Sequence, residues 1–252
     1  MWNWKDRLHA SSIHLCISLA IAGVMAWLVF GLWYAYPYRD ISGGRELFML
    51  VIAVDVVMGP LITLMIFNRT KPRRELVLDL VVVCLLQLAA LGYGMWTVYA
   101  ARPVHLVFEY HRMAVVHAAD VDPATLAQAS PALQVLPLTG PTLLSLRSFK
   151  DANEEYDSTM TALSGVPQAA QPALWQSWEA ARSAILRESR PVTELRQRFG
   201  AQAALIDNAI ATTARPAEGL RYLPLLARKK GWTVLIDAQT TAPVGYLPLD
   251  SF

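Results

Sequence analysis

Charged residues are scarce in this sequence, and cysteine is almost absent. Only 17% of the 252 residues are Asp, Glu, Lys or Arg, whereas 54% are hydrophobic. A soluble globular domain usually carries about 25% charged residues, so this composition indicates a membrane protein. The two cysteines both lie within apolar runs of the first hundred residues, which excludes an internal disulfide in the rest of the chain.

Net charge is also lacking after residue 101. Residues 102–252 contain 14 Lys or Arg and 14 Asp or Glu, so they present no basic field to a polyanion. Nucleic acid is therefore excluded as a partner. No G-x-S-x-G, H-E-x-x-H or C-x-x-C motif and no glycine-rich phosphate loop occurs, so we expect no cofactor.

Three long apolar runs dominate the first hundred residues, at 13–36, 47–67 and 80–101. Each is long enough to cross a hydrocarbon core of about 30 Å as a helix that rises about 1.5 Å per residue. The third run carries no charged side chain, the first carries only His14, and the second carries only Asp55. The first run has the basic start of a signal peptide, but it is too long, and we interpret it as an uncleaved anchor. The lipid bilayer is thus an expected partner.

Lys and Arg near the ends of these runs predict the orientation. One side has six, Lys5, Arg7, Arg69, Lys71, Arg73 and Arg74, and the other has four, Arg39, Arg45, Arg102 and Arg112. The positive-inside rule places the amino terminus in the cytoplasm and everything after Arg102 outside. We therefore predict a membrane domain with three transmembrane helices at 1–101 and a periplasmic domain at 102–252.

Strand patterns occur at both ends of the outer portion. They predict a hairpin within 103–121, a strand near 143–149 and further strands at 220–227, 232–239 and 242–249. Helical patterns lie between them, at 122–130, 148–165, 171–189 and 193–212. We predict an α+β domain whose antiparallel sheet is made from the two ends of the domain, with the helices covering one face.

Three histidines recur every six residues, at His105, His111 and His117. On one continuous strand they would share a face and suggest a metal site. The polar step at His111 and Arg112 is expected to reverse the chain and separate them, so we predict no metal site.

The segment VIAVDVVMGPLITL places Asp55 and the pair Gly59-Pro60 inside the second run. A carboxylate at mid-bilayer costs about 2.5–3.5 kcal/mol on insertion scales, so Asp55 should be protonated or partnered and should face protein. Pro60 removes a backbone hydrogen bond one turn later, which predicts a kink. Equal helix depth relates Asp55 to Gly92 and Tyr93 of the third run.

Two hydrogen-bond donors are within reach of that depth. Tyr93, or Gln87 one to two turns deeper, could donate to Asp55. Nearer the inner surface, His14 and Asp79 are expected to form a second polar contact with the arginine-rich loop 68–79.

Five segments together resemble a known family: YPYRDISGGRELF, VDVVMGPLITLMIFN, KPRREL, DLVVVCLLQLAALGYGMWTVYAARPVHLVFE and LRYLPLLARKKGWTVLID. The chain closely resembles the type IV pilin accessory proteins of the TfpX/TfpZ type, densely over 36–109 and more thinly afterwards. The resemblance implies an inner-membrane protein of Gram-negative bacteria that assists pilin production or pilus assembly. It implies no established catalysis and supplies no active site.

An accessory protein of this type has to recognise the single apolar helix of a pilin in lipid, where polar groups and close-packed small residues are the available means. We therefore expect an intramembrane site for the pilin helix formed by Asp55, Gly59, Pro60, Gln87, Gly92, Tyr93 and Gly94, with the outer domain contacting the pilin head. This describes a non-catalytic assembly factor or chaperone. Whether Asp55 meets the pilin or another helix of its own chain stays open.

Two other classes remain. A membrane-anchored periplasmic enzyme that modifies pilin or envelope polymers would need titratable groups that converge in a polar cleft, and the strands offer His105, Glu109, His111 and Asp237. A sensor that signals through the helices would need a partner on the inner side, because the inner segments are short.

Overall fold

The structure is a computed structural model that describes residues 4–228 and 230–252. Two compact units are present. The first extends up to Arg39 and resumes over Gly43–Ala101, and the second contains Asp40–Ser42 and Arg102–Phe252.

The first unit contains three helices that are long and apolar enough to cross a membrane: Trp4–Trp33, Gly44–Ile66 and Arg73–Ala100. The three predicted spans are thus confirmed, and we call them the first, second and third span. Each helix begins earlier than its apolar run, because polar residues such as Lys5, Arg45 and Arg73 continue the helix beyond that run.

Two of the spans contain π-helical segments. In the first span, α1 (Trp4–Leu28) continues as a π-helix over Val29–Trp33, and α2 (Tyr38–Ile41) follows. The second span consists of α3 (Gly44–Ile52), a π-helix over Ala53–Met58 and α4 (Gly59–Ile66), and the third span is α5 (Arg73–Ala100). Pro60 has no N–H to give to the carbonyl four residues earlier, and the wider π turn ends where α4 begins. The kink predicted beside Asp55 stays a prediction, and the structure has the π-helical segment Ala53–Met58 at this place.

The buried Tyr34 joins the three spans. Its hydroxyl donates to the carbonyl oxygen of Val98 on the third span at 3.1 Å. A Cβ atom on Gly44, at the start of the second span, would lie only 2.3 Å from the Tyr34 ring. Glycine is therefore required at residue 44 for the second span to pass this ring.

The described part of the second unit contains one eight-stranded sheet. Its strands are β1 (Pro103–Glu109), β2 (Arg112–His117), β3 (Thr142–Leu146), β4 (Trp175–Ser177), β5 (Arg190–Pro191), β6 (Leu220–Leu226), β7 (Gly231–Asp237) and β8 (Pro243–Leu247). They are ordered β4-β3-β1-β2-β6-β7-β8, with β5 beside β6. The α+β class is confirmed.

The prediction of a purely antiparallel sheet is wrong. The predicted hairpin β1–β2 and the meander β6–β7–β8 are antiparallel, but β3 runs parallel to β1 and β6 runs parallel to β2. Short hairpin connections force antiparallel pairing, whereas the long connections that precede β3 and β6 leave the direction free. The sheet is therefore mixed.

The helices of the second unit are shorter than their patterns suggest. They are α6 (Ala152–Leu163), α7 (Arg182–Glu188), α8 (Val192–Arg198) and α9 (Ala203–Thr212). The helix predicted at 122–130 is a 3-10 helix over Pro123–Gln128. The helix predicted at 171–189 is only partly correct, because Trp175 pairs with Leu146 and makes this stretch the edge strand β4 before α7 begins.

Both faces of the sheet are covered, so the prediction of a single covered face is wrong. β1 is buried along its whole length. On β6, Leu223 and Leu225 pack in one cluster with Ile185, whereas Leu220 and Tyr222 pack in another. Alternate side chains of a strand point to opposite faces, so these two clusters lie on opposite sides of the sheet.

Candidate functional site

The three spans meet at a group of polar side chains that we call the polar cluster: Ser11, His14, Asp55, Thr63 and Gln87. His14 Nδ1 lies 2.6 Å from Thr63 Oγ1, and the His14 ring interacts electrostatically with Asp55, which is buried. Gln87 Nε2 donates to the backbone carbonyl of Asp55 at 3.3 Å. The polar cluster thus links both the first span and the third span to the second span.

Two further contacts satisfy backbone carbonyls of the second span. Ser11 Oγ donates to the carbonyl oxygen of Pro60 at 2.8 Å. Arg7 Nη1 donates to the carbonyl oxygens of Leu64 and Met65 at 3.2 and 2.9 Å. The last carbonyls of a helix have no partner within the helix, so Arg7 supplies donors to two carbonyls at the end of α4, whereas Ser11 adds a contact near the start of that helix.

Gly59 lies at the closest approach in this region. A Cβ atom on it would lie 1.8 Å from Gln87 Nε2 and 3.1 Å from His14 Nε2. Both Gly59 and Pro60 are buried. The absent side chain of residue 59 is therefore what allows the polar side chains of the first and third spans to reach the second.

An open groove runs between the second and third spans. Its volume is about 320 Å³, and it is lined by Leu47, Leu50, Val51, Val54, Asp55, Ala90, Leu91, Tyr93, Gly94, Thr97 and Val98. Most of these residues are apolar, and Asp55 is the one ionisable carboxylate among them. One side of Asp55 faces the polar cluster, and the residue also borders the groove.

The structure places six of the seven predicted site residues in two groups. Asp55, Gly59, Pro60 and Gln87 come together at the polar cluster. Tyr93 and Gly94 line the groove instead, and a Cβ on Gly94 would lie 2.8 Å from Val51. Gly92 is exposed, with open space around it. The predicted donor Gln87 bonds to the backbone of Asp55, whereas Tyr93 points outward.

Sequence reasoning missed most of the first span's contribution. His14 contacts Thr63 rather than the arginine-rich loop, although Asp79 does pair with Lys71 of that loop at 2.6 Å. Arg7, Ser11 and His14 follow one another at spacings of four and three, which places them on one helical face. That spacing was the available signal.

The candidate catalytic groups of the second unit do not converge. His105 on β1 is buried, with Nδ1 2.7 Å from Thr142 Oγ1, and Glu109 pairs with Arg112 at 2.8 Å. His111 is exposed. Asp237 lies on β7, three strands from β1, which corresponds to about 14 Å at the usual strand spacing.

The charge states of the two buried groups have structural causes. Burial lowers the pKa of the His105 imidazole to about 4, so it is neutral at pH 7. Hydrogen bonds, chiefly the one from the backbone N–H of Thr240, hold the pKa of the Asp237 carboxyl below its ordinary value. Arg215 pairs with the same carboxyl at 2.6 Å.

His117 is separated from the other two histidines, as predicted. It lies on β2, with Nδ1 3.0 Å from Asp120 Oδ2, whereas His105 lies on β1 and His111 lies in the turn between the strands. Within residues 4–228 and 230–252, no group of three or more His, Cys, Asp or Glu side chains is arranged to hold a metal ion.

Comparison with known proteins gives a consistent set of relatives. A family model described as fimbrial assembly protein FimB matches residues 2–43. The fimbrial assembly protein of serogroup I from Dichelobacter nodosus is 34% identical over 229 residues, which cover 90% of this chain and 89% of that protein. The serogroup E1 protein of the same organism is 32% identical over the same shares. No solved structure matches significantly.

The contact between Gly59 and Gln87 yields a first prediction. Gly59→Ala should lower the amount of the chain in membranes, because the new methyl group overlaps the Gln87 amide, and turning that side chain away breaks its hydrogen bond to the Asp55 carbonyl. The double variant Gly59→Ala/Gln87→Ala should recover much of this loss, since it removes the overlapping amide. Gly92→Ala is the matched control, as it has open space around it and should leave the amount unchanged. Quantitative immunoblots of membrane fractions provide the measurement, and an unaffected Gly59→Ala would contradict the packing.

Burial of His105 yields a second prediction. Its folded pKa of about 4 lies below the ordinary 6.5, so the unfolded chain binds the extra proton between these pH values and stability falls as the pH falls. From pH 7 to 5 the loss is about 2 kcal/mol. Unfolding of the full chain in detergent, followed by tryptophan fluorescence, should show a weaker pH dependence in His105→Gln and an unchanged one in the exposed control His111→Gln. Equal dependence in all three proteins would refute this account.

Proposed function

Because the chain belongs to the family of fimbrial assembly proteins, we propose that it assists type IV pilus assembly by holding the membrane helix of a pilin subunit in the groove between its second and third spans. It acts in this proposal as a non-catalytic chaperone that keeps the subunit available in the membrane.

The observation that carries the proposal is the groove itself. Its volume of about 320 Å³ suits side chains of a neighbouring helix rather than a whole helix. Ala90 and Gly94 form part of its wall, and Gly92 beside it is exposed, so a second helix backbone could approach closely. Lipid tails are as apolar as leucine, so close packing and polar groups have to supply the preference for a protein helix.

Asp55 has two roles in this proposal. Its contacts with the first and third spans fix the second span, and its position at the groove offers a polar point to the bound helix. An intramembrane carboxylate is costly unless it faces protein, so its place beside an otherwise apolar groove favours a protein occupant over lipid.

The alternative of an anchored enzyme has less support. It would require His105, Glu109, His111 and Asp237 to meet in a cleft, but His111 lies in the turn after β1, and Asp237 lies on β7, three strands from His105 and Glu109 on β1. The non-catalytic role rests on this scatter and on the relatives, which are described as assembly proteins.

We propose that the chain lies in the bacterial inner membrane with its amino terminus in the cytoplasm and its second unit in the periplasm. The excess of Lys and Arg at the amino end and in the loop 68–79 supports this orientation. The inclusion of Asp40–Ser42 in the second unit agrees with the number of spans, because three spans leave this connection and residues 102–252 on the same side of the membrane.

Photo-cross-linking from two neighbouring aromatic positions tests the proposal. Tyr93 and Trp96 on the third span are exposed to similar extents, 71% and 62%, but only Tyr93 lines the groove. A photoreactive phenylalanine analogue at residue 93 should therefore give a covalent adduct with the pilin, and the same analogue at residue 96 should give several-fold less. The same strains carry a reporter enzyme after Phe252. It is active only in the periplasm, so its activity tests the placement of the second unit.

Three results would count against the proposal. Equal adduct yields from the two positions, or no pilin adduct from residue 93, would contradict binding in the groove. A silent reporter in cells that contain the fusion protein would contradict the periplasmic placement.

A further inference from the structure

Helix α6 (Ala152–Leu163) of the second unit turns its more polar face toward the unit and its apolar face outward. The side chains that it turns toward its own unit are Glu154, Ser158 and Ala162, and Ser158 is its buried residue. Its apolar residues face outward: Tyr156, Met160 and Leu163 are 63%, 42% and 76% exposed. Their spacing of four and three places them on one helical face. A surface helix of a globular protein normally buries such a stripe.

Polar contacts hold α6 in place without help from the apolar stripe. Arg147 makes a two-pronged ion pair with Glu154, at 2.6 and 2.8 Å. Ser158 Oγ donates to Gln171 Oε1 at 2.8 Å, and Gln171 Nε2 donates back to the Ser158 carbonyl at 3.0 Å. Asp151 caps the helix by accepting from the N–H of Glu154. The outward stripe is therefore available for another role.

An acidic depression lies along the flank of the same helix. Its volume is about 430 Å³, and its charged lining residues are three acids, Asp151, Glu154 and Asp157, and one base, Lys150. Arg147 and Lys150 both pair with Glu154, but among the described residues no Lys, Arg or His lies within ion-pair distance of Asp157 or of the exposed Glu155. The apolar stripe is thus bordered by uncompensated negative charge.

We propose that the outer face of α6 is a docking surface for a protein that presents an apolar patch bordered by Lys or Arg, and that this protein is the extramembrane part of the pilin subunit. The identification of the subunit rests on the proposed function. Aliphatic and aromatic side chains cover Tyr156, Met160 and Leu163, while a basic side chain enters the depression beside Asp157.

Charge argues against the two other occupants. In a two-fold dimer formed through α6, the helix would face its own copy, and the like charges of Glu155 and Asp157 would oppose one another. A bilayer surface that contains anionic lipids would repel the same carboxylates. A partner that presents Lys or Arg is instead attracted to these carboxylates.

Cross-linking from Leu163 tests the docking surface. A photoreactive phenylalanine analogue replaces Leu163, and the control carries it at Val135, which is 82% exposed and lies outside α6. Irradiated cells should give an adduct of the chain with the pilin from residue 163 and little from residue 135. Adducts with a second copy of the chain, adducts with lipid alone, or no adduct from residue 163 would each overturn the proposal.

Charge reversal tests the basic border of the partner. Asp157→Lys should lower the pilin adduct from residue 163 about tenfold, and Glu155→Lys, as an independent variant, should also lower it. Glu194→Lys is the control, because Glu194 is an exposed acid in the first turn of α8. Membrane levels of each variant are measured in parallel. An undiminished adduct in both α6 variants would overturn the electrostatic part and with it the choice of partner.

The two cross-linking experiments test the proposals for the groove and for the docking surface independently. A pilin adduct from Tyr93 without one from Leu163 would overturn only the docking surface. A pilin adduct from Leu163 without one from Tyr93 would support the docking surface and overturn the groove.

Discussion

A carboxylic acid in the hydrocarbon core has to find its partners inside the protein, and the arrangement of the three spans depends on this constraint. Asp55 faces His14 from the first span, and its backbone carbonyl accepts from Gln87 of the third. Apolar packing alone gives membrane helices little reason to choose one register, because lipid satisfies apolar side chains equally well. The polar contacts select the register, and they also bring Thr63 opposite His14.

The groove follows from the same arrangement. Gly59 lets the second span approach His14 and Gln87, and the π-helical segment Ala53–Met58 accommodates the missing N–H of Pro60. With one side of the second span tied to the polar cluster, its other side and the third span form the open groove beside Val54. A protein that binds a helix in lipid needs such a rigid, partly polar wall, since flexible apolar surface would bind lipid as readily.

The sequence predicts the features that depend on composition and local pattern. The three spans, the β1–β2 hairpin and the β6–β8 meander were predictable because run length and alternation are local signals. The parallel pairs β1–β3 and β2–β6 were not, since they join segments far apart in sequence. Helix depth related Asp55 to Gly92 and Tyr93, but it could not tell that Gly94 packs against Val51 while Gly92 stays exposed, because rotation about the helix axis is set by packing.

The most direct test of the central claim compares two substitutions of Asp55 in cells that make pili. Asp55→Asn keeps hydrogen-bonding capacity without charge, so the chain and the surface pili should remain near normal levels. Asp55→Leu removes the carboxylate that faces His14, while Gln87 keeps its bond to the backbone carbonyl of residue 55, so the membrane level of the chain should fall several-fold and surface pili should fall with it. Normal amounts of both in Asp55→Leu cells would contradict the account.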